Sequence, residues 1–346
     1  MPPRKPTPAN VPGKKNSFVQ GAGPAGHSRK ALLCGVSGQD GAYLSRILLE
    51  HGYEVWGSSR DAAVTEFSNL RELGIRDQVK TLSLQPTDFR SVLQAITRIQ
   101  PDEIYNLSGQ SSVGLSFEQP VETFESITVG TMNFLEAIRF SNPKIRFYNA
   151  SSGECFGNLH GEAAVEATPF RPRSPYAVAK AAAFWAVSNY REAYNLFACS
   201  GILFNHESPL RPNRFVTRKI MSTACRIAKG SKETLQLGNL SIKRDWGWAP
   251  EYAEAMRLMM QFERPEDFVI ATGELHSLEE FTARTFQAFD LDWRKHVETD
   301  PGLLRPIDLE GGCGNAFKAH SLLGWKPTVT FTRLIERLAE AERTRP

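Results

Sequence analysis

Tyr176 and Lys180 stand four residues apart at what reads as the start of a helix, so their side chains share one face. An ammonium beside a phenol favours the phenolate and draws a pKa of ~10 towards neutrality. Such a tyrosine can take a proton from a hydroxyl while hydride leaves the same carbon. Ser152 can hydrogen-bond the reacting oxygen. Glu154, in Ser151-Ser152-Gly153-Glu154, is a second acid/base that plain hydride transfer does not require. It is otherwise an ordinary carboxylate at a strand end. With Glu154 included, the set suits oxidation of a sugar carbon, loss of water and re-reduction.

A dinucleotide site is expected upstream. Gly35, Gly38 and Gly41 form G-x-x-G-x-x-G, with Gln39 and Asp40 inside the loop. Glycines there permit a tight turn and bring backbone N–H groups to a pyrophosphate at a helix N-terminus. The spacing differs from G-x-G-x-x-G and is that of short-chain dehydrogenases. An acid closing the second strand would bind a ribose 2′-hydroxyl and select NAD. This strand closes on Ser59-Arg60, a hydroxyl and a guanidinium suited to a 2′-phosphate, so NADP is expected. Asp61 follows and can neutralise Arg60 or bind ribose itself.

Further polar clusters lie downstream. Asn205-His206-Glu207-Ser208-Pro209 follows the sixth apolar run, and Arg244-Asp245-Trp246-Gly247 opens a later segment. His206 has no Cys or His at ligand spacing, which argues against a metal role. It is grouped with the cofactor residues, or else orients a loop. Lys219, Arg244 and Arg305 are cations suited to a diphosphate, and no metal site is expected.

These residues need a scaffold of alternating strands and helices. Apolar runs at Ala31–Cys34, Tyr53–Ser58, Thr81–Leu84, Ile104–Leu107, Arg146–Ala150, Phe197–Phe204 and Phe268–Gly273 read as strands. Helical spacing spans Ala42–His51, Asp88–Ile99, about Glu122–Phe140 and the stretch from Tyr176. The alternation predicts an α/β fold, a doubly wound parallel (Rossmann) sheet with ligands at the strands' carboxyl ends. Residues 30–205 with 247–275 form the dinucleotide-binding domain. Residues 206–246 with 276–346 form a smaller α/β substrate lobe built from discontinuous segments.

The first 30 residues carry six basic residues and no acid, so of the net charge of +3 the remainder holds −3. Residues 1–29, rich in Pro, Gly and Ala, read as a disordered basic tail, and removal of residues 1–28 is expected to leave activity and folding intact. A mildly acidic body gives no reason to expect nucleic acid. No apolar run reaches the ~20 residues of a membrane span, and no secretory h-region is expected. Five scattered cysteines fit a reducing, cytoplasmic setting.

Longer segments carry a resemblance: Gly35 to Leu44, Ser174 to Lys180, Phe204 to Pro209, Phe215 to Ile220, Arg244 to Gly247 and Phe268 to Glu274. From Lys30 onward the chain resembles the GDP-mannose 4,6-dehydratases of the extended short-chain dehydrogenase/reductase family. The resemblance implies Ser152, Glu154, Tyr176 and Lys180 as catalytic residues. It implies Gly35, Gly38, Gln39, Asp40, Gly41 and Arg60 as NADP contacts, and Asn205, Lys219, Arg244 and Arg305 as GDP-sugar contacts. It also implies a homodimer or homotetramer. Relatives commonly have two arginines where this chain has Arg60-Asp61, and an arginine in place of Leu210. Gln85, Trp248, Ile307-Asp308 and a shortened 291–310 stretch also depart from the pattern. The departures suit a subgroup acting on a larger GDP-sugar such as GDP-manno-heptose. The rivals are a GDP-4-keto-6-deoxy-sugar reductase or epimerase, which does not need Glu154, and a non-catalytic NADP sensor, which would not keep Tyr176 and Lys180.

Overall fold

A computed structural model describes residues 28–345. The basic tail read over 1–29 lies outside the described residues, apart from its last two. Ser28 Oγ donates to the Gly52 carbonyl at 2.6 Å, and the Arg29 guanidinium donates to Gln261 Oε1 at 2.7 Å.

Seven strands form the central sheet: β1 (Lys30–Cys34), β2 (Glu54–Ser59), β3 (Lys80–Ser83), β4 (Glu103–Asn106), β5 (Arg146–Ser152), β6 (Ala198–Leu203) and β7 (Phe268–Ile270). The order is β7-β6-β5-β4-β1-β2-β3, and every neighbouring pair is parallel. β4 and β6 are buried along their whole length, which is why they read as continuous apolar runs rather than alternating ones. The order reverses between β1 and β4, the switch point where such sheets bind ligands.

Helix α1 (Gln39–Glu50) leaves the glycine loop. Helices α2 (Phe89–Ile99), α3 (Gly130–Ser141) and α4 (Pro175–Tyr194) follow β3, β4 and β5. α2 starts where Asp88 accepts a capping bond from the Arg90 N–H. α5 (Val216–Ala228) belongs to the lobe, and α6 (Ala249–Gln261) packs on α1. One core lies between the sheet and α1 with α6, and includes Leu44, Leu48, Met256 and Met260. A second lies on the opposite face, with Ile96, Phe134, Ile138 and Val187.

The helix expected over Glu122–Phe140 is broken. It comprises a short helix at Pro120–Phe124, a π-turn at Glu125–Val129, and α3. Thr128 Oγ1 donates to the Ala179 carbonyl of α4 at 2.9 Å, next to the turn that carries Tyr176 and Lys180. π-turns inside helices often mark functional sites.

The lobe has its own core, built by α5, α7 (Leu278–Ala288) and α8 (Phe331–Thr344) around Ile220, Trp246, Phe281 and Leu334. Not all of 276–346 goes there. The short helix Phe317–Leu323 returns to the large domain, where Ala319, Leu323 and Trp325 are buried beside α6. Trp325 Nε1 donates to the Glu251 carbonyl at 2.8 Å.

Candidate active site

The glycine loop connects β1 to α1. Gly35 has φ +91°, and a Cβ there would sit 2.7 Å from the Leu107 carbonyl oxygen. A Cβ on Gly41 would sit 2.5 Å from the Gly35 oxygen. Both positions are therefore closed to side chains by the fold. Gly38 caps the helix without a side-chain bond, so the first N–H groups of α1 face outward as an anion cradle. This backbone fits a dinucleotide pyrophosphate.

The neighbours expected to touch the cofactor divide. Gln39 is turned inward, donating to the His206 carbonyl at 3.0 Å and accepting from Ser208 Oγ at 2.7 Å. Its side chain is thus engaged by the protein, and only its backbone N–H is left for a cofactor. Asp40 Oδ2 lies 3.0 Å from His206 Nε2, while Asp40 Oδ1 is buried with no partner among the described residues. Burial works against both charges, but the mutual attraction outweighs it: His206 is held above and Asp40 below its ordinary pKa. His206 Nδ1 meets the Phe204 carbonyl at 2.8 Å. His206 therefore fastens the segment after β6 to the glycine loop. Arg60 is exposed at the end of β2 and pairs with no acid among the described residues. Asp61 makes no ion pair with it among the described residues; its carboxylate accepts from the Ala63 N–H at 3.0 Å.

Ser152 ends β5 and caps the turn Gly153–Phe156, accepting from the Glu154 N–H at 3.2 Å. Ser174 and Pro175 start α4, with Ser174 accepting from the Ala177 N–H at 3.1 Å. Tyr176 and Lys180 thereby face the end of β5. Lys180 Nζ donates to the Ala150 carbonyl at 2.7 Å and lies 5.8 Å from the centre of the Tyr176 ring. Burial pushes Lys180 down to about 8. The expected lowering of Tyr176 is not what the packing produces. Burial pushes the phenol up, and a hydrogen bond with Ser152 only partly opposes this. The i,i+4 spacing registers the lysine but not the desolvation.

A cleft of about 410 Å³ opens over these residues. Ser152, Glu154, Tyr176 and Lys180 line it together with Asn205, Lys219, Arg244 and Arg305, so all the expected catalytic and sugar-nucleotide side chains meet in one space. Arg244 Nε lies 3.9 Å from Glu154 Oε1, and its Nη2 lies 3.1 Å from Asp308 Oδ1. Arg305 reaches the same Asp308 oxygen at 3.4 Å. Lys219 Nζ donates to the Gln236 carbonyl at 2.7 Å.

Among the lining residues that sequence reasoning did not single out are Arg211 and Ser112. Arg211 lies over the Phe215 ring at 3.8 Å and 3.4 Å from Glu207. Its only sequence signal is its place beside the Asn205–Pro209 cluster. Ser112 caps the helix Val113–Glu118 and carries no signal beyond its type.

A family model described as GDP-mannose 4,6 dehydratase matches residues 32–338. The chain is 43% identical over 322 residues to GDP-mannose 4,6 dehydratase 1 of Arabidopsis thaliana, covering 90% of this chain and 89% of that protein. It is 41% identical over 361 residues to GDP-mannose 4,6 dehydratase of Cricetulus griseus, covering 97% and 96%. Among solved structures, the UDP-glucose 4-epimerase of Thermus thermophilus in complex with NAD matches with a TM-score of 0.79 at 28% identity. That match covers 91% of this chain and 99% of that one.

Proposed function

This chain belongs to the GDP-mannose 4,6-dehydratase family, and we propose that Ser152, Glu154, Tyr176 and Lys180 carry that family's reaction here. The activity is that of a hydro-lyase. GDP-mannose becomes GDP-4-keto-6-deoxymannose and water, through oxidation at C4, elimination across C5–C6 and reduction at C6. The observation that carries the reading is the single cleft holding all four residues with Lys219, Arg244 and Arg305.

A nicotinamide dinucleotide, when bound, supplies the hydride acceptor and donor and a positive ring charge that favours the Tyr176 phenolate. Tyr176 takes the C4 hydroxyl proton, and Ser152 holds the oxygen that becomes the ketone. Lys180 keeps an ammonium beside the phenol. The 4-ketone acidifies C5–H, and Glu154 takes that proton and passes it to the departing C6 hydroxyl; as hydride returns to C6 a proton returns to C5, balancing the one Tyr176 took from the C4 hydroxyl. Lys219, Arg244 and Arg305 hold the diphosphate and orient the sugar. Purified protein given GDP-mannose and no added NADPH should yield a product lighter by one water in mass spectrometry. A protein that leaves GDP-mannose untouched but reduces a 4-keto sugar with consumption of NADPH is a reductase instead.

NADP is the cofactor on this reading, supported by the unpaired Arg60 and by Asp61 turning back on its own loop. Arg60→Ala should weaken NADP about ten- to hundredfold, as loss of a charge-assisted bond of ~1.5–3 kcal/mol implies, and leave NAD nearly unchanged. Direct titration of both dinucleotides measures this. A wild type that prefers NAD sinks it.

The chain acts as a homodimer or larger. Pro120–Phe124, α3 and α4 pack side by side and leave Val121, Phe140, Val178 and Trp185 at 68%, 66%, 46% and 60% exposure. Val178 and Trp185, two turns apart, share a face, and an apolar patch of this kind suits a self-complementary interface. Sedimentation should find wild type as a dimer or tetramer and Trp185→Glu shifted to monomer. A monomeric wild type refutes it. No helix among the described residues is long and apolar enough to cross a membrane. A cytoplasmic setting accords with the cysteines, all free among the described residues.

A further inference from the structure

Next to Arg244 stands a carboxylate that the mechanism leaves unused. Asp245 is completely buried, and no cation pairs with it among the described residues. Four donors satisfy it instead. Asp245 Oδ1 accepts from the Thr272 N–H at 2.9 Å and from Thr272 Oγ1 at 2.6 Å. Asp245 Oδ2 accepts from the Gly273 N–H at 2.8 Å and from the Gly314 N–H at 3.4 Å. The carboxylate thereby joins the turn after β7 to the segment that precedes the short helix Phe317–Leu323. A buried charge is tolerated only with such bonds, and removing its acceptor oxygens leaves buried donors unmatched.

Both ends of Arg244 are referred to this point. Its main chain is one residue away, in the short strand Lys243–Arg244. Its guanidinium is held by the segment that leads to Gly314: Nη1 donates to the Leu309 carbonyl at 3.0 Å, and Nη2 to Asp308 Oδ1 at 3.1 Å. The Lys243 N–H donates to the Glu310 carbonyl at 2.9 Å, so strand and segment run as one ribbon. We propose that Asp245 is a positioning residue for the sugar-nucleotide site, fixing the Arg244 guanidinium in the cleft. The task needs a carboxylate rather than a side chain of that size. An asparagine has one acceptor oxygen and an NH2 group, so whichever way it sits, backbone N–H groups lose their acceptor. The inference rests on the reading of Arg244 as a sugar-nucleotide contact and deepens it.

The test is a double-mutant cycle on the whole chain, read as GDP affinity by calorimetry. Arg244→Ala should weaken GDP about ten- to hundredfold, the range for losing a bond to a charged group. Asp245→Asn, with Arg244 in place, should weaken it at least about fivefold. In the Arg244→Ala background the same change should cost less than about twofold, because residues that act through one contact are not additive. Thermal melting shows whether Asp245→Asn folds. If it does not, Thr272→Val decides: it removes one of the four donors, keeps the carboxylate, and should weaken GDP at least about threefold, again only with Arg244 present. Equal losses in both backgrounds overturn the proposal, since a general loosening of the lobe does not depend on Arg244. Unchanged GDP affinity in a folded Asp245→Asn variant also overturns it. Unchanged affinity in Arg244→Ala instead overturns the reading of Arg244 as a sugar-nucleotide contact, and this inference falls with it.

Discussion

Nicotinamide fluorescence should rise and stay up when GDP-mannose is added to a Glu154→Gln variant loaded with oxidised cofactor, and a Tyr176→Phe variant should stay dark. The two residues line one cleft, and on the proposed mechanism they act on different protons. Phenylalanine cannot accept the C4 hydroxyl proton, so oxidation does not begin. The Gln variant keeps Tyr176, Lys180 and Ser152, so C4 is oxidised. It then stalls, because a neutral amide cannot take the C5 proton. Steady-state turnover should fall by roughly 10²–10⁴-fold in both, the usual range for loss of a general acid/base. Stopped-flow fluorescence separates them where product assays do not. Full turnover by Glu154→Gln would return Glu154 to being an ordinary carboxylate at the end of β5.

Lys180→Met should remove activity on a similar scale and also change how stability depends on pH. Lys180 is buried, and desolvation holds it at about 8 in the fold, against ~10.4 for a free lysine. Below pH ~8 both folded and unfolded chains carry the proton, and the desolvation cost is fully present. Between about 8 and about 10.4 the unfolded chain binds more protons at this site, so its contribution to stability rises with pH. Burial of the other groups adds its own pH dependence, so the informative quantity is the gap between wild type and variant. From about pH 7 to about pH 10 that gap should move in favour of wild type by about 2–3 kcal/mol, measured by urea denaturation. A gap that does not move would mean that the ammonium is not desolvated in the fold. The same value predicts that wild-type turnover declines above pH ~8, as Lys180 loses its charge.

The central strands of the sheet were legible because β1, β4, β5 and β6 are buried along nearly their whole length. Ala31–Cys34 and Ile104–Leu107 need no period to be recognised, and their observed bounds differ by a residue or so. The stretch from 122 to 140 was less legible. Its apolar spacing is helical throughout, but the π-turn coincides with the Thr128 bond to Ala179, a contact between segments that periodicity does not register. Phe317–Leu323 falls in the weakly periodic 276–346 stretch read as lobe, and the burial of Trp325 beside α6 moves it to the large domain. In the site, Tyr176, Lys180 and Glu154 were legible because their types are chemical and their spacing local. Arg211 was not, because its position depends on Phe215 and Glu207 in the fold. Gln39 shows the reverse: a residue in the right motif whose side chain is engaged inward.

The short strand Asn205–Glu207 ties two functions into one mechanical unit. One side of it grips the glycine loop through His206 and Asp40. The other pairs in register with Trp246–Trp248, immediately after Arg244. Ordering at either end is therefore shared. If a dinucleotide firms the glycine loop, these contacts predict a stiffer backbone at Arg244, and a nucleotide sugar that fixes Arg244 would steady the loop in turn. Linkage makes such an effect reciprocal: whatever factor the dinucleotide adds to sugar affinity, the sugar adds to dinucleotide affinity. For a reaction that must return its electrons to the same molecule that gave them, this is the useful direction of coupling. Such coupling would hold the cofactor most tightly during the interval in which its escape would strand a half-converted sugar.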